Sequence, residues 1–304
     1  MSGFKAPVAL FVFNRPDHTR RTIAALAANA GADETDLFIY ADGLRGDQDR
    51  AAVEATRRIA AAAEGFRSVT IVARPDNIGL AENISLGVSD VIGRAGRAII
   101  LEDDIETSPG FLDYMNAALD RYRDVPEVWH ISGWTYRIDP DGLPLYFFWP
   151  VMNCWGWATW ADRWQAYRRE PERILRCWTP DQRRAFNLGG THDFFAQVED
   201  NVTGHIRTWA VFWYATIHEA GGLCLTPSLS FTRNIGMDGS GTHFTKPSKE
   251  EPKTLRKRFE GDLPDVIVPS SEAVERVQAL LRPPLHRRVS RRVKRAIRRL
   301  HSAP

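Results

Sequence analysis

The first 130 residues alternate short runs of β-branched and aromatic residues with longer Ala-, Arg- and Glu-rich stretches of helical period. This alternation is typical of parallel βαβ units, because two parallel strands need a long crossover connection that is usually a helix. The predicted strands are Val8–Phe13, Leu37–Ala41, Val69–Ala73, Ala98–Leu101 and Val128–Ile131. The predicted helices begin near Pro16, Asp47 and Leu80, and a fourth covers Phe111–Arg123. We therefore expect an α/β fold with a mostly parallel sheet flanked by helices.

Polar residues follow three of the predicted strands at the point where each strand ends. They are Asn14–Arg15, Asp42–Gly43 and the acidic triplet Glu102–Asp103–Asp104. An acidic triplet taken alone is usually a solvated loop that caps the next helix. Ligands of open α/β sheets, however, bind outside the carboxyl ends of the strands. A divalent cation held by one or two carboxylates and by substrate phosphates fits this position better.

Sequence motifs restrict which phosphate compound such a cation could accompany. The chain has no Gly-x-x-x-x-Gly-Lys-Ser/Thr motif, and no Gly-x-Gly-x-x-Gly follows the first strand. These absences argue against a P-loop and against a dinucleotide fingerprint. A nucleotide-diphosphate sugar, with its diphosphate neutralised by Mn²⁺ or Mg²⁺, is the remaining common solution.

The second half of the chain has a different composition. From about Trp134 it consists of short apolar pieces, and Tyr146–Trp164 alone holds five of the ten tryptophans. Trp209–Gly222 is predicted to be a helix, and Leu223–Pro227 a strand that enters a glycine-rich loop. The chain has 304 residues and is 43% hydrophobic, enough for one large domain or two modest ones.

Several motifs in order resemble those of GT-A glycosyltransferases. They are LFVFNRP, YADG, DNIGLAENISLGV, LEDDIETSPGFLDYM, WGWATWADRW and PSLSFTRNIGMDGSGTH. More narrowly, they look like bacterial relatives of the mannosyl-glycoprotein β-1,2-N-acetylglucosaminyltransferase family, over residues 7–245. The resemblance implies a GT-A (Rossmann-like) domain with a nucleotide-sugar-binding half at 1–133 and an acceptor-binding half at 134–245. A linker or peripheral segment at 246–280 and a basic amphipathic tail at 281–304 would follow.

The resemblance also implies roles for individual residues in binding the donor. Asp104 would coordinate the metal, Asp103 would bind the donor ribose, and Glu102 would contact the sugar-nucleotide or orient its neighbours. Arg15 and Asp42 match positions that hold the uracil base. Glu82 falls where the family has another donor-site side chain of a different residue type.

The general base of the reaction is not evident at the expected place. Inverting members of the family use a carboxylate to deprotonate the acceptor hydroxyl. Alignment on Cys224–Pro227 puts Ala210 and Val211 where the relative has two aspartates, and neither can take a proton. The substitutes that we consider are Asp193, Glu199, Asp200 and Asp238.

Other candidates for ligand contacts have a structural interpretation as well. His243 in the loop NIGMDGSGTH could contact a phosphate or a metal, and the loop could equally be an ordinary surface loop. Trp155, Trp157 and Trp160 could stack on acceptor sugars, with Arg163 meeting a phosphate or an acidic sugar. Aromatic residues at mixed spacing are more often core residues. His192, His205 and His218 show no ligand spacing, and we expect them to be structural.

The charge of the chain is concentrated at one end. Nine basic residues and no acid lie between Arg282 and Arg299, and apolar residues recur there at nearly helical period. Such a basic amphipathic helix is typical of a membrane-surface anchor, and a disordered segment that binds nucleic acid is the alternative. No nucleic-acid-binding motif accompanies it, so we expect no nucleic-acid partner.

The expected location is the cytoplasm, peripheral to the inner face of the cytoplasmic membrane. The apolar run Pro7–Phe13 is too short to span a bilayer, and three cysteines fit neither a zinc site nor a disulfide framework. The expected function is metal-dependent transfer of a hexose or N-acetylhexosamine from a UDP-sugar to a glycan or lipid-linked acceptor in surface polysaccharide assembly. A metal-dependent nucleotidyltransferase and a non-catalytic nucleotide-sugar-binding protein are the alternatives.

Overall fold

A mixed sheet of eight strands forms the centre of the molecule. The computed structural model describes residues 5–236, 252 and 254–282. The strand order in the sheet is β3-β2-β1-β4-β8-β6-β9-β7. The strands are β1 Val8–Val12, β2 Asp36–Ala41, β3 Ser68–Ala73, β4 Arg97–Glu102, β6 Val128–Ser132, β7 Tyr146–Trp149, β8 Trp157–Trp160 and β9 Leu223–Pro227. A separate antiparallel ribbon joins β5 Ile105–Thr107 to β10 Thr232–Asn234.

Ten α-helices in the described residues connect and cover these strands. They are α1 Pro16–Ala27, α2 Arg50–Ala61, α3 Leu80–Ala95, α4 Phe111–Arg121, α5 Ala161–Trp164, α6 Pro171–Cys177, α7 Pro180–Phe186, α8 Phe195–Val202, α9 Ala210–Glu219 and α10 Ser271–Leu281. Pro16 occupies the first turn of α1, where the missing N–H of proline costs nothing.

The α/β fold expected from the sequence is confirmed. Strands β1 to β4 pair in parallel, and each predicted strand and helix of the first 130 residues is present with bounds shifted by a few residues at most. Alternate residues of β1 enter two different core clusters, with Ala9 and Phe11 in one and Val8, Leu10 and Val12 in the other. The sheet is therefore buried on both faces, as expected where helices cover both sides.

The second half of the chain completes the same sheet. β8 pairs antiparallel with β4 on one side and with β6 on the other, so it lies between two strands that precede it in the chain. β6 then pairs in parallel with β9, and β7 pairs antiparallel with β9 at the edge. Because β6 and β9 run in the same direction as β1 and β4, their carboxyl ends reach the same edge of the sheet.

Residues 254–282 pack on the body of the domain. The Phe259 ring lies 5.7 Å from that of Tyr146, and Tyr122 Oη donates a hydrogen bond of 2.8 Å to Pro264 O. α10 buries Ala273 and Val277, and its Gln278 Nε2 donates to Leu188 O at 3.0 Å. The part of 246–280 that the structure describes is therefore attached to the core and is not a free linker. Of the predicted basic tail, residues 283–304 lie outside the described residues.

A search of the described residues for a helix of membrane-spanning length and hydropathy finds none.

Candidate functional site

A cleft of about 700 Å³ opens at the carboxyl edge of the sheet. Part of its lining, which we call the polar wall, comes from the ends of β1, β2 and β4, from the β3–α3 connection and from the first turn of α3. The polar wall consists of Asn14, Arg15, Asp42, Arg45, Asn77, Asn83, Glu102, Asp103 and Asp104. A second part of the lining, which we call the aromatic wall, comes from residues 134–214. Its main side chains are Trp134, Tyr136, Met152, Trp155, Phe194, Ile206, Trp209, Val211 and Tyr214.

The acidic triplet lies in the polar wall at the end of β4. Glu102 is the last residue of β4 and pairs with Phe11 of β1, so the triplet meets the end of β1 directly. Arg15 Nη1 donates to Asp104 Oδ2 at 2.7 Å and lies 3.9 Å from Asp103 Oδ1. The Phe13 backbone N–H donates to Asp103 Oδ2 at 3.3 Å. Glu106, the next acid along the chain, binds Arg21 and Arg233 instead and does not line the cleft.

Burial makes ionisation of the triplet costly. It raises the pKa of Asp103 to about 7, with a further increase from the charge of Asp104, while Arg15 opposes the shift. Burial likewise raises the pKa of Glu102 well above its usual value and raises that of Asp104. One guanidinium therefore faces three acids whose charged forms are disfavoured. A cation at this place would relieve the repulsion.

The donor set suits a hard divalent cation that takes its remaining ligands from a substrate. No group of three or more His, Cys, Asp or Glu side chains within the described ranges is arranged to hold a metal by itself. The carboxylates of Asp103 and Asp104 supply the one or two ligands with which Mg²⁺ sites that also use substrate phosphates are usually built. These two residues fit Mn²⁺ or Mg²⁺ when a diphosphate accompanies the ion.

The chain passes very close to Asp104 a second time, at Gly236. Ile235 N donates to Asp104 O at 2.8 Å, and this bond brings the end of the β10 segment over the acidic triplet. A Cβ atom added to Gly236 would collide with the Asp104 carboxylate and lie 2.8 Å from Arg15 Nη1. Only glycine leaves room for the present position of both side chains.

Asp42 lines the cleft, but its carboxylate is fully occupied by the protein. Oδ1 accepts from Gly43 N at 2.9 Å and from Ile78 N at 3.0 Å. Oδ2 accepts from Asn77 Nδ2 and Gly79 N, both at 3.0 Å. Four donors use the hydrogen-bonding capacity of a carboxylate. Asp42 therefore joins the β3–α3 connection to the end of β2, and its contact with the uracil base stays a prediction.

The aromatic wall is held together by ring contacts. Trp134 lies at its centre, with ring centroids 4.8 Å from Tyr136 and 4.5 Å from Trp155 in edge-to-face arrangements. Such arrangements are favoured by the quadrupoles of the rings. Trp155 is partly buried and is the one residue of the predicted acceptor set in the lining.

Trp157, Trp160 and Arg163 are core residues, which corrects the acceptor-binding role predicted for them. Trp157 is fully buried and stacks between His130 and Trp209, both at 5.3 Å. Trp160 Nε1 donates to Leu119 O at 3.0 Å. Arg163 is 5% exposed, and its guanidinium donates to backbone carbonyls, among them Val125 O at 2.9 Å. Both faces of β8 are covered, so Trp157 enters the core cluster on one face and Trp160 the cluster on the other.

Three of the four carboxylates proposed as general base, Asp193, Glu199 and Asp200, do not line the cleft. Asp193 is exposed and accepts from Asn187 Nδ2 at 3.1 Å, outside the lining. Glu199 and Asp200 are exposed on α8 and do not line the cleft, whereas Phe194 and Gln197 do. Helical periodicity explains the difference, since neighbouring positions point about 100° apart. Ala210 and Val211 do line the cleft, at the start of α9.

Three candidate residues remain: Glu82, which the structure describes, and Asp238 and His243, which it does not. Glu82 is exposed on the first turn of α3, where it lies 3.5 Å from Arg207 Nη2 and outside the cleft lining. Its predicted place in the donor site stays a prediction. Asp238 and His243 lie outside the described residues.

The structure also brings residues to the cleft that sequence reasoning missed. His192 lines it, contrary to the structural role expected for this histidine. Asn83 and Arg45 line it as well, and the Arg45 guanidinium lies 4.8 Å from the centroid of the Phe13 ring. The glycine pair at 189–190 is the one local signal near His192, because it marks a turn that could present the next residues to a ligand.

No protein-family model matches the chain. Among solved structures, the chain is similar to the mannosyltransferase PcManGT from Pyrobaculum calidifontis in complex with GDP-Man and Mn²⁺, with a TM-score of 0.37 and 13% identity over 72% of this chain and 70% of that one. Two structures of S. aureus TarS each have a TM-score of 0.29 over 41% of this chain, at 14% and 13% identity. The chain spans only 21% and 34% of those TarS chains. TM-scores this low do not establish a shared fold, and the chemistry of the cleft is what bears on function.

Proposed function

We propose that the protein is a metal-dependent glycosyltransferase that moves a hexose or N-acetylhexosamine from a nucleotide-diphosphate sugar, a UDP-sugar in the first instance. The observation that carries the proposal is the meeting of Arg15 with Glu102, Asp103 and Asp104 at the carboxyl edge of the sheet, in a cleft whose other wall is aromatic. A divalent cation at this place would neutralise the diphosphate leaving group.

The two walls suit the two ends of a nucleotide-sugar. The polar wall offers carboxylates for the cation and the Arg15 guanidinium for a phosphate oxygen, if Arg15 exchanges its bond to Asp104 for one to the ligand. The aromatic wall offers ring faces and edges, on which the apolar faces of pyranoses pack. The sugar would thus lie between the walls, with the acceptor entering from the aromatic side.

A titration of nucleotide-sugars tests the proposal. Isothermal titration with UDP-N-acetylglucosamine, UDP-glucose and GDP-mannose, with and without MnCl₂, should show binding of at least one of them in the presence of metal. Asp104→Asn should weaken that binding about 100-fold or more, because it removes a charged ligand of the ion. Asp193→Asn is the matched control, since Asp193 is an exposed aspartate outside the cleft. Metal-independent binding, or equal effects of the two variants, would contradict the proposal.

A non-catalytic nucleotide-sugar-binding protein is the second candidate. It is favoured by Ala210 and Val211, because no carboxylate of the described residues lies on the aromatic wall to serve as a base. Release of UDP or GDP from the bound donor separates the two functions, since a binding protein leaves the donor intact. Release of pyrophosphate instead would indicate a nucleotidyltransferase.

We further propose that the basic tail holds the enzyme at the inner face of the cytoplasmic membrane, where lipid-linked acceptors lie. Nine basic residues without an acid between Arg282 and Arg299 would attract anionic lipids at about 1 kcal/mol each. Co-sedimentation with vesicles of anionic phospholipid should be lost on truncation after Pro284. A truncated protein that still sediments would contradict the anchor.

A further inference from the structure

His192 lines the same cleft as Ala210 and Val211, the two positions at which the expected carboxylates are replaced. It lines the cavity, half-buried, on the segment that leads into α8. We infer that His192 is the general base that takes the proton of the attacking hydroxyl. The inference rests on the proposed glycosyl transfer, because it assigns a role within that reaction.

The other titratable groups among the described lining residues do not suit this role. Arg15 and Arg45 keep their protons at any ordinary pH. Asp42 is occupied by four donors. Tyrosine ordinarily ionises near pH 10, which excludes Tyr136, and burial raises the pKa of Tyr214 further. Burial also raises the pKa of the Cys154 thiol, with a further increase from Glu102.

The acidic triplet is in the wrong part of the cleft for a base. Glu102, Asp103 and Asp104 lie together in the polar wall, where the cation and the diphosphate would bind. In a single displacement the nucleophile approaches the anomeric carbon from the side opposite the leaving group. A base must therefore stand on the acceptor side, which is the aromatic wall. His192 belongs to the lining contributed by residues 134–214, and imidazole is the side chain whose ordinary pKa lies nearest to neutral pH.

Ring contacts connect His192, through Phe194, to the helix α9 that carries Ala210 and Val211. The His192 ring lies 4.3 Å from that of Phe194, and the Phe194 ring lies 5.5 Å from that of Tyr214. Tyr214 follows Val211 by three residues on α9, so the two share one face of that helix. The imidazole therefore packs, through Phe194, against the same helix that carries Val211, and both residues line the cleft.

The segment that carries His192 is strained and firmly attached. Leu188 has a φ of 50°, and it is the one non-glycine residue with positive φ within the described ranges. Asn187 fixes the segment from both sides, because its Oδ1 accepts from Phe195 N at 2.8 Å and its backbone O accepts from His192 N at 3.2 Å. Strain held by such contacts is frequent where a side chain must be presented to a substrate.

The proposed step balances in atoms and charge. The oxygen of the acceptor hydroxyl forms a bond to the anomeric carbon while the bond from that carbon to the phosphate oxygen breaks. The nucleoside diphosphate leaves with the electron pair of the broken bond, and the hydroxyl proton moves to the unprotonated ring nitrogen of His192. The imidazolium then loses this proton to solvent. Water can replace the acceptor in the same step, which gives donor hydrolysis.

Donor hydrolysis provides the test, because it needs no knowledge of the acceptor. The rate of UDP or GDP release is measured with the three nucleotide-sugars named above and MnCl₂, for the wild-type protein and for His192→Gln. We expect His192→Gln to lower the rate about 100-fold or more, the usual contribution of a general base. Donor affinity in isothermal titration should change by less than about threefold, since the base contributes to the transition state and not to ground-state binding.

Two further variants keep the result interpretable. His205→Gln is the matched control, because His205 is exposed and its Nδ1 lies 2.7 Å from Thr203 Oγ1, away from the cleft lining. It should release nucleotide at the wild-type rate. His192→Ala should regain activity when imidazole is added in excess, which a purely structural histidine would not allow.

The possible failures are distinguishable. If the wild-type protein releases nucleotide and His192→Gln does so at a similar rate, the role of His192 is wrong and the proposed function stands. A loss in Asp238→Asn but not in His192→Gln leads to the same conclusion. If the wild-type protein releases no nucleotide from any of the donors, the proposed transfer and the role of His192 fall together.

Discussion

The two walls of the cleft are built on different principles. The polar wall draws its side chains from the ends of parallel strands, and hydrogen bonds to carboxylates hold these side chains in place. The aromatic wall draws on connections and helices between residues 134 and 214, and ring packing holds it together. Strand ends fix charges within narrow limits, because the sheet itself is rigid. Packed rings define a shape that a change of residue can alter without disturbing the charges.

The difference indicates where the constant and the variable parts of the reaction lie. Binding of a metal diphosphate needs the same carboxylates whatever sugar is transferred, and these lie on the sheet. Selection of sugar and acceptor depends on shape, and it would fall to the aromatic wall. Four substitutions test this division, in order of decreasing effect.

The largest effect is expected on the free energy of unfolding, from a substitution in the core behind the aromatic wall. Trp157→Ala should lower the free energy of unfolding by about 3–5 kcal/mol, because it leaves a cavity between His130 and Trp209. Trp155→Ala is the matched variant, and it should cost only about 1–2 kcal/mol since Trp155 is partly exposed in the cleft. Urea denaturation followed by circular dichroism gives both values. Equal losses of unfolding free energy in the two variants would mean that Trp155 is packed as tightly as Trp157.

The second largest effect is expected on donor affinity, from a substitution in contact with the polar wall that leaves every charge unchanged. Gly236→Ala would place a methyl group against Asp104 and Arg15, so we expect Mn²⁺-dependent donor affinity to fall about 100-fold, or about 2.8 kcal/mol. Gly93→Ala on α3 is the control, because its added Cβ meets open space and favours the helix by up to about 1 kcal/mol. Isothermal titration measures the affinities. Unchanged affinity in Gly236→Ala would show that this segment moves away when the donor binds.

A smaller effect, a gain in stability, is expected from Asp103→Asn in the absence of metal. The pKa of Asp103 is about 7 in the folded protein against an ordinary 3.8, so the folded state holds the proton more tightly than the unfolded state. This group therefore costs the wild-type protein stability as pH rises from about 4 to 7, and the cost is constant above 7. In EDTA at pH 8, Asp103→Asn should be more stable than wild type by roughly 1–3 kcal/mol.

Thermal unfolding at pH 4 and pH 8 checks this prediction, since the gain should nearly vanish at the lower pH. MnCl₂ added together with UDP should stabilise the wild-type protein more than Asp103→Asn, because the variant keeps only the Asp104 carboxylate for the ion. A variant that is less stable than wild type at pH 8 would show that the bond from Phe13 N and the neighbouring Arg15 outweigh the cost of burial.

The smallest effect is expected at the rim of the cleft. Glu82 and Arg207 lie 3.5 Å apart, with side chains 47% and 63% exposed, and such pairs contribute at most about 1 kcal/mol. Glu82→Gln should therefore change donor affinity by less than about threefold in isothermal titration. Arg207→Gln, which removes the other partner of the pair, should behave alike. A tenfold loss of donor affinity in Glu82→Gln alone would show that Glu82 belongs to the polar wall.

The polar wall was largely predictable from the sequence, because its information is local. The period of 2 or 3.6 residues identifies each strand and helix, and a parallel topology brings all strand ends to one edge. Arg15, Asp42 and the acidic triplet therefore meet where the sequence analysis placed them. The saturation of the Asp42 carboxylate was not predictable, since three of its four donors come from residues 77–79, which β3 and its connections separate from it along the chain.

The aromatic wall was not predictable in the same way. Whether a tryptophan of Tyr146–Trp164 faces the cleft or the core depends on β8, which pairs with strands that are remote in sequence. Trp155 and Trp157 are the same residue type two positions apart, so the sequence does not tell which of them lines the cleft. The pairing of β8 with β4 and β6 decides it. The position of His192 depends on Leu188, Asn187 and the packing of Phe194 on α9, none of which leaves a periodic signal.

The insertion of β8 between β4 and β6 also limits how this chain can be divided or recombined. A fragment that stopped before residue 134 would keep β4 and β6 but lose the strand that joins them. Each would then present unpaired backbone N–H and C=O groups beside apolar residues, which is the usual start of edge-to-edge aggregation. We expect such a fragment to be insoluble, and chimaeras with relatives should exchange loops of the aromatic wall while they leave β8 with its own sheet.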